Sequence, residues 1–322
     1  MPRLEIHLLG SPRIELEGVP IEVDTRKATA LLAYLAVTGE SHSRESLAAL
    51  MWPEYDDASA RAALRRTLSA LNKALAGNWL DADRESIGLK RDAHFNLDIE
   101  QFRAKVGNCL THGHPAADVC PACLGPLAES AALYRGDFLS GFTLRDSAAF
   151  DDWQFFQAES LRGELAGVLE RLARCHAEQR NFESAIAAAR RWLALDSLHE
   201  PAHRRLMQLY TSSGQRAAAL RQYQECARIL DEELGVPPLD ETTRLYETIK
   251  EHRAATTEIP TSNFQLPISN LQPPTSNLQP PAALQASNFP LVGRSTEWAA
   301  LLDGYNAIGA AGHLLVLDGE AG

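Results

Sequence analysis

The spacing of apolar positions changes along this chain, and each change marks a new element. Leu4, Ile6 and Leu8 alternate with polar residues. So do Ile14 and Leu16 after the Gly10–Pro12 break, and Ile21 and Val23 after Glu17-Gly18. Alternation predicts a small antiparallel sheet. The spacing then becomes helical. Ala28, Leu31, Leu32 and Leu35 form a stripe between a Thr25 cap and a Gly39 stop, and Leu47, Leu50 and Met51 a shorter one between Ser43 and Pro53. From Asp57, taken as the cap, to Gly77, the residues Leu64, Leu68, Leu71 and Leu75 share one face of a third helix. Two short strands, 79–83 and 86–90, follow around a turn at Arg84-Glu85, and Phe95 and Leu97 close the unit.

The outer face of the third helix is the first candidate for chemistry. Arg65, Arg66, Ser69 and Lys73 lie opposite the leucines, with Arg61 and Asn72 at the flanks, and no acidic residue interrupts them. The chain as a whole carries a net charge of −11, so contact with nucleic acid has to come from a local patch such as this one. The second and third helices are joined by a short turn, as in a helix-turn-helix. The order of sheet, three helices and hairpin, with the run SRESLAALMWPEYDDASARAALRRTLSALNKAL, resembles the winged-helix DNA-binding domain of two-component response regulators. The resemblance covers about residues 3–98. It implies double-stranded DNA as a partner, with Arg61, Arg65, Arg66, Ser69, Asn72 and Lys73 on the recognition helix. The hairpin is then a wing from which Arg84, Lys90 and Arg91 reach phosphate or minor groove. Trp52 is expected in the core.

Ile99, Phe102 and Val106 start a helix, and then the text changes. Cys109, His112, His114, Cys120 and Cys123 fall within fifteen residues, with Cys120 and Cys123 as a C-x-x-C. Thiolates with imidazoles are zinc-ligand chemistry, and a closed set favours a structural role. Cys120, Cys123, Cys109 and one of the two histidines would make four ligands. Against this, Cys109 also reads as a buried core thiol, His112 and His114 as solvated loop residues, and the whole as a cysteine cluster without metal. Redox chemistry is disfavoured, because no βαβ pattern surrounds the C-x-x-C.

After a helix over 127–134, the segment Leu133-Tyr-Arg-Gly-Asp-Phe-Leu-Ser-Gly-Phe142, followed by Asp151-Asp152-Trp153, resembles the bacterial transcriptional activator domain found behind winged helices in activators of antibiotic pathways. Its Arg-Gly-Asp triplet suggests an adhesion role, to which a cytosolic chain gives no support. From Ala149 to Arg253 the chain reads as helical and repeats at an offset of 34 residues: Ala173 with Met207, His176 with Tyr210, Ala185 with Ala219, and Leu195 with Ile229. This is the tetratricopeptide period, with Leu172, Leu193, Leu206, Leu209 and Leu220 expected in the core. Stacked helix pairs make a concave surface for partners. The closing run Glu233 to Tyr246 again resembles the activator domain. The resemblance implies contact with RNA polymerase, and homodimerisation is a second use for the surface.

Residues 254–290 repeat Ser-Asn-Phe/Leu-Gln-Pro phrases almost without charge and read as a disordered linker. Residues 291–322 resemble the start of a signal-transduction ATPase domain, in which a strand meets a Gly-rich turn. Gly319 and Gly322 are present there, but the Lys and hydroxyl of a P-loop are absent. The chain therefore reads as a fragment, and ATP hydrolysis is not expected. No apolar run approaches a membrane span, the N-terminus lacks a signal-peptide core, and five cysteines, an odd number, suit a reducing cytoplasm. The expectation is a mainly α protein. A winged helix over 1–98 precedes an all-α, tetratricopeptide-like domain over 99–253 with a Cys/His insert at 109–123. It is expected to be a non-enzymatic, sequence-specific transcription regulator, an activator, with a helical-repeat interaction scaffold as the alternative. No cofactor is certain, structural zinc being the candidate.

Overall fold

The computed structural model describes residues 2–77, 79–115, 118–144 and 146–257. The nucleotide-binding start and nearly all of the expected linker lie outside the described residues. The chain is mainly helical, with a small N-terminal sheet region. Strands β1 (Leu4–His7) and β2 (Arg13–Leu16) pair antiparallel, with Leu4 opposite Leu16 and Ile6 opposite Ile14. That register puts Leu4, Ile6 and Ile14 on one buried face. Strand β3 (Val19–Pro20) pairs with β2 and lies ahead of Ile21 and Val23, which pack half-buried beyond it instead of forming the third strand.

Helix α1 (Arg26–Thr38) begins where the Thr25 hydroxyl accepts the Ala28 N–H and ends at Gly39 with φ +71°. A two-residue strand, β4 (His42–Ser43), leads into α2 (Arg44–Met51), capped by Ser43. Helix α3 (Asp57–Ala74) is capped one residue earlier than expected. Asp56 Oδ1 accepts the N–H groups of Ala58 and Ser59 at 3.0 Å each, which leaves Asp57 inside the first turn. Leu64, Leu68, Leu71, Leu75 and Trp52 are buried. The hairpin of β5 (Leu80–Ala82) and β6 (Ser86–Leu89) forms as expected, and β4 adds to it, so the sheet runs β4-β6-β5. Strand β7 (Phe95–Leu97) returns beside β1 in parallel and completes the order β3-β2-β1-β7.

The helical part follows directly: α4 (Asp98–Asn108), 3-10 turns at Cys109–His112 and Pro121–Cys123, α5 (Leu124–Leu133), α6 (Ala148–Glu178), α7 (Phe182–Leu193), α8 (Glu200–Ser212), α9 (Arg216–Leu234) and α10 (Asp240–Thr257). The 34-residue offset corresponds to successive helix pairs. Ala185 on α7 and Ala219 on α9 are both fully buried, as are Ala173 on α6 and Met207 on α8. Alanine at these positions lets helix backbones approach closely. Leu172, Leu206 and Leu209 are in the core, while Leu193 and Leu220 are half-buried at its rim and Trp192 turns inward beside Leu193. At the C-terminal end, buried Glu200 on α8 accepts the Leu239 N–H and the Thr242 hydroxyl, which holds α10 in place.

The winged helix and the helices share one continuous core. The segment Leu133–Phe142 is a strap around the end of β1. Leu139 N–H donates to the Leu8 carbonyl at 2.9 Å, Gly10 N–H to the Asp137 carbonyl at 3.2 Å, and Ser140 N–H to the Gly10 carbonyl at 3.0 Å. Gly10 takes φ +126°, a conformation that side chains rarely adopt, where it meets Gly136 of the strap. Side chains add to the grip. Lys27 pairs with Asp146 at 2.9 Å, Arg26 Nε donates to the Thr143 carbonyl at 3.0 Å, and the Tyr34 and Trp153 rings lie 4.9 Å apart. The segment expected to be a connector is thus the fastening between winged helix and repeats.

Candidate nucleic-acid interface and metal centre

The leucine stripe of α3 fixes which side of the helix faces away from the core. On that side Arg61, Arg65, Arg66, Ser69, Asn72 and Lys73 are all exposed. Arg61 forms an ion pair with Glu45 at 3.6 Å, both side chains at the surface, where such a pair is weak and screened by salt. Arg44, at the start of α2, joins this face. With Arg61 and Arg65 it lines a groove of about 280 Å³. Its Nε also donates to the Asp83 carbonyl at 2.9 Å, which ties the wing turn to the helix pair. Sequence reasoning passed over Arg44 because nothing local shows that β4 brings the wing alongside α2.

The wing is shaped by its own turn. Asp83 Oδ1 accepts the N–H groups of Glu85 and Ser86 at 2.7 and 2.6 Å. The Ser86 and Glu85 donors, with the Arg44 charge behind them, hold the Asp83 carboxyl below the ordinary carboxylate range. Gly88 on β6 has no room for a side chain, because a Cβ there would meet the Ser41 hydroxyl at 2.7 Å. Arg84 and Lys90 are exposed on the hairpin. Arg91 is placed differently from its two neighbours. Its guanidinium pairs with Glu100, donates to the Ala36 carbonyl and lies 5.3 Å over the Phe95 ring. It fastens the base of the wing to α1 and α4, and its reading as a wing contact gives way to that role.

The Cys/His insert also sorts itself. One ligand atom from each of His112, His114, Cys120 and Cys123 lies within 4.8 Å of all the others. His112 Nδ1 and His114 Nε2 each stand 3.2 Å from Cys123 Sγ. Cys120 Sγ is 3.5 Å from His112 Nδ1 and 3.7 Å from Cys123 Sγ. Both histidines are in the cluster, and Cys109 is not. Cys109 is fully buried at the end of α4, its Sγ directed at the Cys123 carbonyl at 3.9 Å, and burial above all pushes its thiol up from the ordinary value. Sequence held the clue: Ile99, Phe102, Val106 and Cys109 continue one helical stripe.

Residues 97–250 match the bacterial transcriptional activator domain. Regulatory protein AfsR of Streptomyces coelicolor is 26% identical over 261 residues, which is 80% of this chain and 25% of AfsR. Transcriptional regulatory protein EmbR of Mycobacterium tuberculosis is 26% identical over 246 residues, which is 73% of this chain and 60% of EmbR. The chain therefore spans only part of the length of either relative. A solved structure of Mycobacterium tuberculosis EmbR in complex with a low affinity phosphopeptide shares the fold, with a TM-score of 0.65 and 22% identity over 78% of this chain and 66% of that one. Residues 97–250 thus carry the match to the bacterial transcriptional activator domain, and the chain as a whole is similar to AfsR and EmbR.

Proposed function

We propose that this chain is a sequence-specific DNA-binding transcription regulator, an activator, that works by binding and not by catalysis. Helix α3 enters the major groove with Arg61, Arg65, Arg66, Ser69, Asn72 and Lys73. Arg84 and Lys90 on the wing, and Arg44 beside it, meet the phosphates. The observation that carries the reading is the open face of α3 from Arg61 to Lys73, which is cationic and has no acidic residue of its own in an otherwise acidic chain, Asp57 and Glu45 lying at its start beside Arg61. The name of EmbR, a transcriptional regulatory protein, agrees with it, as does that of AfsR, a regulatory protein. The winged helix over 1–98 is the reader, and the helical domain over 99–253 supplies contacts to RNA polymerase or to a second copy. Exposed Phe155 and Phe156 on α6 offer apolar surface for such a protein partner. A DNA-binding role also places the chain in the cytoplasm. Among the described residues no helix is long and apolar enough to cross a membrane.

The test is fluorescence anisotropy on duplexes selected from a random pool. Replacing Arg65 and Arg66 together by Ala weakens binding tenfold or more and flattens the dependence of log K on log salt by about 1–2. Unchanged affinity removes α3 as the reader. The net charge of −11 favours the scaffold alternative, in which the winged helix contacts protein. Failure of the wild-type chain to bind any duplex at low salt would support that reading.

A further inference from the structure

We infer that His112, His114, Cys120 and Cys123 form a closed tetrahedral zinc site that fixes the start of α5 against α4 and α6. The argument is geometric. Zinc holds sulfur at about 2.3 Å and imidazole nitrogen at about 2.0–2.1 Å, so tetrahedral vertices stand about 3.8 Å apart for two sulfurs and about 3.6 Å for sulfur and nitrogen. Four of the six edges are 3.7 Å between the sulfurs and 3.2, 3.2 and 3.5 Å between sulfur and nitrogen, and all four atoms lie within 4.8 Å of one another. Hydrogen bonding accounts for pairs of these atoms, and a shared cation accounts for all four being mutually close. The second shell agrees. His114 Nδ1 lies 2.9 Å from the Pro115 carbonyl, which fixes its proton there and leaves the Nε2 lone pair facing the sulfurs. Arg171 on α6 supplies positive charge beside the thiols of Cys109 and Cys123. Two thiolates with two imidazoles select zinc over the harder divalent ions, and four protein ligands leave no open position for catalysis.

The ligands come from two separate turns, one after α4 and one before α5. His112 ends the 3-10 turn after α4, Cys123 ends the turn that opens α5, and the Cys120 carbonyl accepts the Cys175 thiol of α6 at 3.9 Å. Helix α5 runs straight into the strap around β1, so the metal braces the base of that strap.

The test measures zinc by mass spectrometry on the full chain after equilibration with zinc and removal of loosely bound ion. About one zinc per chain is expected. It is retained in C109S and largely lost in C123S and in H114A. Cobalt substitution should give tetrahedral ligand-field bands with thiolate charge transfer. Should the variants unfold, alkylation of the wild-type chain decides. With zinc, Cys120 and Cys123 are protected, and a chelator exposes them together. Zinc far below one per chain, loss in C109S as complete as in C123S, or alkylation indifferent to chelator would overturn the site.

Discussion

The Asp98 carboxylate accepts the Leu8 N–H on both oxygens, at 3.0 and 2.8 Å, and one of those oxygens also takes the Leu9 N–H at 2.9 Å. Asp98 opens α4 and Leu8 follows β1, so one buried side chain joins the first activator helix to the reader's first strand. Burial pushes the Asp98 carboxyl above its ordinary value, and the two N–H donors and Arg135 only partly offset this. Asp98→Ala is expected to destabilise the chain by about 2–4 kcal/mol, because it strands two buried N–H groups. Asp98→Asn, which keeps an acceptor and sheds the disfavoured charge, should lose less. Urea unfolding checks both, and an Ala variant as stable as wild type would show that the junction is held elsewhere.

Lys90 and Arg91 are adjacent in sequence and separate in role. Lys90→Ala should lower the salt slope of DNA binding by about 1 without moving the melting temperature. Arg91→Ala should do the reverse. It loses a carbonyl bond, an ion pair and the Phe95 face, for about 1–2 kcal/mol of stability, and leaves the slope alone. Parallel melting and anisotropy measurements separate them. A flattened slope in the Arg91 variant would return that residue to the interface.

Acid should weaken the cap of α3. Ser59, through its hydroxyl and its N–H, holds the Asp56 carboxyl below the ordinary carboxylate value, and the Ala58 N–H adds to this. The folded chain therefore binds that proton less readily than the unfolded chain. The cap's contribution is full above the ordinary carboxylate pKa and fades as pH falls through the lowered one. Asp56→Asn keeps an acceptor at the cap and cannot titrate. Its deficit against wild type in denaturant melts should shrink between about pH 6 and about pH 3. A constant deficit would mean that the charge at the cap does not matter.

What the sequence made legible was whatever local geometry sets. The leucines of α3, the Thr25 and Ser43 caps, the wing turn and the repeat alanines all follow from spacing along one element. Non-local pairing hid the rest. Strand β4 has two residues and no alternation to announce it, and the parallel partnership of β7 with β1 depends on everything folded between them. The strap was visible as a motif but not as a fastening, since its partners, Leu8 to Gly10, lie far away in the chain. In the Cys/His insert, C-x-x-C was plain. That the histidines would displace Cys109 required reading Cys109 as the last member of an apolar stripe.

The strap has a mechanical consequence. A reader tethered by a loose linker can rotate to suit whatever spacing its binding sites have; this one has no swivel. Two copies joined through their repeats would hold their α3 helices at one distance and one relative angle, like the jaws of a fixed gauge. Shifting one half-site by half a turn of the duplex would carry it to the far side, beyond reach of the second jaw.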